Sequence, residues 1–502
     1  RFFYPHKYDM QNAITGIVEG KSPHELWITS NNHGLYRFSV ETLKFEAHTH
    51  SLTENSIATN NINCIIKDRS NIVWIGTRNG LNKLDIKAKK FNILSIPYGN
   101  NKEFNEHTTN IYLFDSLLFV GTRQDGLFIY NTHTQKTQNF SYTKGNFPGN
   151  HIVSIQLSSS GKLYVCGDSF CALYDKHTET FSMLHTIIPD IHEKLSGNRQ
   201  IKALLEDSKG NIWIGTNSGI FMFDTEKKKL LNFDKYSNTR YLPSNIILSF
   251  FEDSKGTIWI GTDKGLARYT HNEQKIETYS YTKKNERHKS QNKVYCILED
   301  TNSKMWIGTN SGLYAFREID SLYEFYTEKN GLPNNQIFGL VANNQDLWIS
   351  TNKGLAQFTQ RTKTFKSFDP SDGIQGYEFV PNSMFKTNYG LVFFGGIHGV
   401  NVFYPDSIYD NPIVPNLETL HMSYFTDADR KTIYLSDARE VVLPWKHNFL
   451  TIQFASIEFT QPHKNKYKYI LEDLDNEWHD LGSQNSINYS SLPSGNYTLK
   501  II

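Results

Sequence analysis

The chain has 502 residues, 38% of them hydrophobic and 14% aromatic, ample for a large core and more than one domain. Its 52 Lys and Arg nearly balance 51 Asp and Glu, so bulk charge argues against a nucleic-acid or membrane-surface partner. No apolar run reaches the roughly 18 residues of a membrane-spanning helix, and no basic segment followed by an apolar run opens the chain. Starting at Arg1 and stopping within NYTLKII, it reads as a piece of something longer.

From the N-terminus onward, a short phrase of the form WIGT recurs. It is clearest as VWIGTRNGLNKLD, IWIGTNSGIFMFD, IWIGTDKGLARY, MWIGTNSGLYAF and LWISTNKGLAQF. Its aromatic falls at Trp27, Trp74, Trp213, Trp259, Trp306 and Trp348, and weaker copies put Phe119, Tyr164 and Phe393 in the same slot. Successive steps are 47, 45, 45, 49, 46, 47, 42 and 45 residues. A period in the forties built of strand-like runs and turns is the signature of a β-propeller blade.

The unit beginning at Ile201 shows how one blade is written. IKALLEDS, NIWIGT, IFMFD and KKLLNF are four predicted strands, separated by turns around residues 207–210 and 217–219. Gly210 and Gly219 supply the positive φ that tight hairpins need. Trp213 and Ile214 fall on opposite faces of their strand, so each packs against a different neighbouring blade. Gly215 lets adjacent sheets approach. A single unit buries neither face by itself, so the repeats must stack in a ring.

Acidic pairs recur at Glu206 and Asp207, Glu252 and Asp253, and Glu299 and Asp300. Each pair sits at the same turn of its own blade, so the carboxylates spread around the ring and do not converge as a catalytic set. Turn chemistry accounts for them, and the turns lack the full pattern of a calcium loop. Cys64 and Cys296 occupy one slot of two repeats and are expected to be small buried residues. Cys166 and Cys171 bracket the turn CGDSFC, and the sequence leaves open whether they pair. A metal site there is disfavoured, because no His or Cys pair stands at ligand spacing beside them. No metal and no cofactor is expected.

The last repeat ends differently, in GLVFFGGIHGVNVFYPDSI followed by NPIVP, and reads as a closing blade. Counting seven blades back places a complete ring at 104–410, with 1–103 as the last blades of a truncated earlier propeller. A single larger ring is the alternative. From 411 the period disappears, and short alternating strands over 411–502 suggest a β-sandwich of the immunoglobulin or fibronectin kind, incomplete at its C-terminus. Trp478 is its expected buried anchor, with Tyr467, Tyr469, Tyr489 and Tyr497 around it. The predicted fold class is thus all-β: a seven-bladed β-propeller, preceded by remnant blades and followed by a sandwich.

Repeats of the form ED-x-x-G-x-(L/I)WIGT-x-x-GL, the terminal FFGG segment, the Tyr467–Trp478 motif Y-x-Y-x-L-x-x-x-D-x-x-W and the closing LPSGNYTL resemble a known family. These are the regulator-propeller repeats plus Y_Y_Y domain of two-component sensors, the extracytoplasmic halves of glycan-sensing hybrid histidine kinases of gut anaerobes. The resemblance covers essentially the whole chain. It implies a periplasmic sensor that binds an oligosaccharide, forms a homodimer through the Y_Y_Y and propeller region, and signals through a following membrane helix to control glycan-utilisation genes. The family typically carries two seven-bladed rings, whereas only two copies precede the complete ring here. No kinase or receiver motif is present, and His398 stands where an Asn is more familiar.

In a propeller, the turns between second and third strands share one face with the connections between blades, where residues vary without harming the core. On this face the second-to-third turns offer Arg78, Arg123, Gln124, Asp125, Asp263, Lys264, Lys353 and His398. The connections offer Arg199, Arg240, Tyr241, Arg287, His288 and Lys289. The set leans basic. Guanidinium forks suit carboxylate or sulfate, and Tyr241 suits a sugar ring, so an acidic oligosaccharide is the expected ligand. Arg78, Arg123, Arg199, Arg240, Tyr241, Arg287, His288, Lys353 and His398 are the candidate binding residues. Solvated loop charge is the competing explanation for each.

Two other functional classes compete. Propeller lyases acting on polysaccharides use a His and a carboxylate to move protons, but the loop histidines His33, His107, His151, His288 and His398 have no partner base at fixed spacing. Catalysis by this segment is therefore not expected, and no catalytic residue is assigned. A protein-binding scaffold is the third reading, since propeller faces commonly serve that use.

Overall fold

The computed structural model describes residues 13–502 apart from 52–55, 87–90, 99–101, 196–198, 234–241, 273, 282–291, 318, 320–321, 409–414, 427–428 and 436–439. The chain separates into two compact units, one spanning Lys89–Tyr409 and the other combining Arg1–Ala88 with Asp410–Ile502.

The Lys89–Tyr409 unit is a ring of seven four-stranded antiparallel sheets, in each of which sequence neighbours pair in order until the last. We name each blade by its slot aromatic. The Trp213 blade runs Ile201–Glu206, Ile212–Thr216, Gly219–Asp224 and Lys229–Phe233. First strands of successive blades contact one another, and the first strand of the Phe393 blade, Phe379–Lys386, returns to that of the Phe119 blade, Thr108–Phe114. First strands therefore line the axis. The closing sheet takes its outermost strand, Asn92–Ile93, from upstream of the first blade: Asn401 pairs with Ile93, and Val402 with Asn92. The ring thus reaches back before residue 104, because a strand from the far end of the unit completes its last sheet and removes an open edge.

Blade packing follows the slot pattern. Trp213 lies in a cluster with Ile247, Ile258, Ile260 and Tyr269 of the next blade, while Ile214 lies with Tyr164, Cys166 and Leu173 of the previous one. Both are fully buried. At Gly215 an added Cβ would stand 2.6 Å from Ile247 Cγ2, so the next blade's first residue occupies the space a side chain would need. The same contact closes the ring, where a Cβ at Gly395 would stand 2.8 Å from Thr108 Cγ2. Across the centre, the Asn382 side-chain amide donates to the Leu248 carbonyl at 3.1 Å.

The acidic pairs divide their labour. Asp207 accepts at 2.8 Å from the backbone N–H of Asn211 and, through its other oxygen, from the Trp213 indole at 2.8 Å. Glu252 reaches the previous blade, accepting from the backbone N–H of Ser208 at 2.8 Å and from its hydroxyl at 2.5 Å. Glu299 repeats this on Ser254 at 2.7 and 2.9 Å. The Asp locks its own turn to its own Trp, and the Glu ties blade to blade.

In the other unit, the Trp27 copy forms a four-stranded sheet and the Trp74 copy a three-stranded one, Ile62–Lys67, Ile72–Thr77 and Gly80–Asp85. Cys296 is buried as expected, but Cys64 is exposed. Cys296 packs beneath Ile337 of the following blade, and no following blade covers Cys64 within its own unit. Two sheets of four and three strands make the sandwich. Its core is Phe454, Tyr467 and Ile487, with Met422, Leu450 and Ile452. Trp478 is not the buried anchor: it is 43% exposed, because it immediately precedes His479–Gly482, an edge strand of the three-stranded sheet.

Candidate functional site

One face of the ring carries an annulus of backbone hydrogen bonds. The backbone N–H at the start of a second-to-third turn donates to the segment leading into its own blade: Arg123 to His107 O, Asn217 to Gln200 O, Asp263 to Ile246 O, Asn310 to Lys293 O and Ile397 to Glu378 O. The turn glycine then donates to the next blade's lead-in segment, as Gly126 does to Asn150 O, Gly219 to Asn245 O and Gly354 to Tyr377 O. Gly399 donates to Glu106 O at 3.2 Å and carries the annulus from the last blade to the first. Rigid sheets therefore fix where the varying side chains stand.

Within this face most turns share one clamp. The hydroxyl of Thr122, Thr216, Thr262, Thr309 or Thr351 donates to the turn glycine's carbonyl at 2.8–2.9 Å. Two blades depart. In the Phe393 blade Gly396 replaces the Thr, and the Gln375 amide fills its place, accepting from the His398 N–H at 2.8 Å and donating to Glu378 O at 3.0 Å. In the Tyr164 blade Gly167 replaces the Thr and Phe170 the turn glycine. There a disulfide joins Cys166 to Cys171, which face each other in adjacent strands. Gly167 leaves room for the buried Phe170 ring, whose Cε1 would lie 2.2 Å from an added Cβ.

The Cys166–Cys171 turn carries Asp168, whose Oδ2 is 2.8 Å from His151 Nδ1, while Lys202 Nζ of the next blade stands 3.7 Å from its other oxygen. His151 does therefore have a carboxylate partner, 17 residues away. The sequence concealed it, because the Asp lies in a turn whose slot in most other blades holds an Asn or Asp with no such role. Beside it, burial depresses the His107 pKa, the positive charges of Arg123 and His151 depress it further, and Glu378 opposes them.

The nine candidates separate in this frame. Arg123 is exposed, has no ion pair among the described residues, and joins His107, His151 and Glu378. His398 is exposed on the neighbouring turn. Lys353 is exposed on the Trp348 blade, outside that group. The Arg199 guanidinium is occupied locally, donating to Lys194 O at 2.7 Å and lying 5.6 Å from the Phe221 ring centroid. Arg78 is exposed in the other compact unit, so it is not part of this face. Arg240, Tyr241, Arg287 and His288, with Lys289, lie outside the described residues. His107, His151, Asp168, Lys202 and Glu378 were not among the candidates. Among the described residues, no three His, Cys, Asp or Glu side chains form a set that could hold a metal ion.

Comparison with known proteins bears on these two units. Residues 56–79, 194–218, 241–264 and 288–311 match the two component regulator propeller, and 458–501 match the Y_Y_Y domain. Histidine kinase P4 of Formosa agariphila is 24% identical over 492 residues, covering 95% of this chain and 31% of that protein. The extracellular domain described for the hybrid two component system BT3049 of B. thetaiotaomicron superposes with a TM-score of 0.80 at 24% identity, over 97% of this chain and 65% of that one. That of BT4673 from the same organism gives 0.53 at 19% identity, over 98% and 67%. The chain thus spans about a third of the curated relative, and no helix among the described residues is long and apolar enough to cross a membrane. It carries two component regulator propeller repeats and, in its C-terminal sandwich, a Y_Y_Y domain.

Proposed function

We propose that this chain is the extracytoplasmic, periplasmic sensor region of a hybrid histidine kinase. An oligosaccharide, most suitably an acidic glycan fragment, binds the annular face of the ring. Binding shifts a homodimer formed through the Y_Y_Y and propeller region, and the sandwich passes the movement to a membrane helix beyond this segment. The output is transcription of glycan-utilisation genes. One observation supports the reading above the rest. The annulus is a rigid, solvent-open frame on which the blades differ mainly in the polar side chains they present, as a recognition surface requires.

Calorimetry and thermal shift against acidic and neutral oligosaccharides test this. A ligand that binds only the folded state raises stability by RT ln(1 + [L]/Kd), so a saturable rise in melting temperature is expected. The His151–Asp168 pair gives the polysaccharide-lyase reading its one specific support. Accumulating cleavage products during long incubation would establish that reading instead. Retention of a protein partner with no sugar binding would favour a scaffold.

A further inference from the structure

The three weakest copies of the repeat, at Phe119, Tyr164 and Phe393, stand at the two ends of the ring's sequence but are contiguous in space. Ring closure places the Phe393 blade next to the Phe119 blade, through Gly399 to Glu106 and Gly395 against Thr108. The Tyr164 blade flanks the other side. The second-to-third turns that depart from the pattern T-x-x-G all fall within this arc. The Phe119 turn, TRQDG, has one residue more than the Trp213 turn, TNSG, and the other two turns lack the Thr clamp. Regular repeats satisfy every local rule. Departures from those rules that are compensated by new contacts concentrate where function is served. Here the compensation is specific: Gln375 in one blade, a disulfide and Phe170 in the other.

Resting on the sensor reading above, we infer that this arc is the ligand subsite and that it receives a sugar unit bearing a carboxylate. The polar groups are of mixed sign, as such a unit requires. The Arg123 guanidinium is exposed and without a partner among the described residues, so its fork is open to a carboxylate. Lys202 adds a second cation beside Asp168. The Asp168 and Glu378 carboxylates accept hydrogen bonds and so suit the unit's hydroxyl groups. His107, held toward its neutral form, both donates and accepts. Tyr377, 53% exposed in the lead-in segment beside Glu378, offers a ring face for stacking. A neutral sugar would leave the Arg123 fork unmatched, and a nucleic acid would meet two carboxylates.

The test titrates the whole chain with trisaccharides of galacturonate, mannuronate and guluronate and with their neutral hexose counterparts. At least one uronate should bind, and its neutral counterpart should bind about tenfold more weakly or worse. Arg123→Gln and Asp168→Asn should each lower uronate affinity about tenfold, with unchanged melting temperatures. Lys264→Gln, exposed on the same face but across the ring from the arc, should leave affinity unaltered. Binding should also shift the imidazole resonances of His107 and His151. Equal binding of neutral and acidic sugars, or loss of affinity in Lys264→Gln with Arg123→Gln intact, overturns the subsite while leaving a sugar sensor standing. Absence of uronate binding overturns the subsite whatever a wider sugar panel shows.

Discussion

The indole of Trp259 donates to Oδ2 of Asp253 at 2.8 Å, and the same bond links Trp306 to Asp300 at 2.9 Å and Trp74 to Asp68 at 2.8 Å. Residues six apart are thus tied across a turn. The other Asp253 oxygen accepts from the backbone N–H groups of Lys255 and Thr257 at 3.0 and 2.8 Å. One carboxylate therefore closes the hairpin and satisfies a buried indole at once. The turn before Trp348 is shorter, with Ala342 paired to Leu347 as Glu252 is to Ile258, and the Trp348 indole nitrogen has no hydrogen-bond partner among the described residues.

Trp259→Ala should cost about 3–5 kcal/mol, the range for a large buried aromatic removed from a core. Asp253→Ala should cost about 1–3 kcal/mol, because it leaves the indole and two turn N–H groups without their acceptor. Chemical denaturation with unchanged m-value would measure both. A Trp259→Ala protein that melted as wild type yet lost ligand binding would place this ring at the ligand surface and not in the core.

Glu252 offers a separate measurement, since its partner lies in the preceding blade. Glu252→Ala should cost about 1–2 kcal/mol, and Ser208→Ala somewhat less. The two losses should not add, because both substitutions remove the Ser208 hydroxyl bond to Glu252. Full additivity in the double variant would show that the carboxylate does not bridge the blades.

These contacts show what the sequence made legible. The Trp, Ile, Gly and Thr slots each carry one packing duty in every strong copy, so blade number, strand order and face could be read from spacing alone. Arg123 was visible for the same reason, as a non-consensus residue in a known turn. The His151–Asp168 pair was not. Its geometry depends on a hairpin that departs from the repeat, whereas the approach of Glu378 to His107 depends on ring closure. Trp478 misled because a large aromatic near a strand implies a core, whereas the adjoining strand is an edge. Cys64 misled because repeat equivalence presumes a neighbouring blade on both sides.

The Cys166–Cys171 bridge closes a loop with a sequence separation of 5. Chain entropy alone assigns so short a loop about 2 kcal/mol, and Cys166→Ser with Cys171→Ser should lose roughly that amount. Restoring the turn of the other blades, with Cys166→Gly, Gly167→Thr, Phe170→Gly and Cys171→Ile together, should recover part of the loss through the Thr clamp. Unfolding measured with and without reductant checks the first variant. Reductant should destabilise the native chain and leave the Ser variant unmoved.

The depressed His107 pKa yields a pH dependence of defined sign. In the unfolded chain the imidazole titrates near its ordinary value of 6.5, and in the folded chain it titrates lower. Between these two values the unfolded state binds the extra proton, so stability falls as pH drops below about 6.5 and levels off below the folded value. His107→Gln removes the difference and should flatten that part of the profile. Arg123→Gln removes one of the positive charges that hold the pKa down, so the His107 titration followed by NMR should move upward, toward 6.5. A uronate carboxylate seated on Arg123 screens the same charge and should move it in the same direction. If the His107 titration stayed in place in both experiments, then neither the guanidinium nor the bound carboxylate would stand beside it.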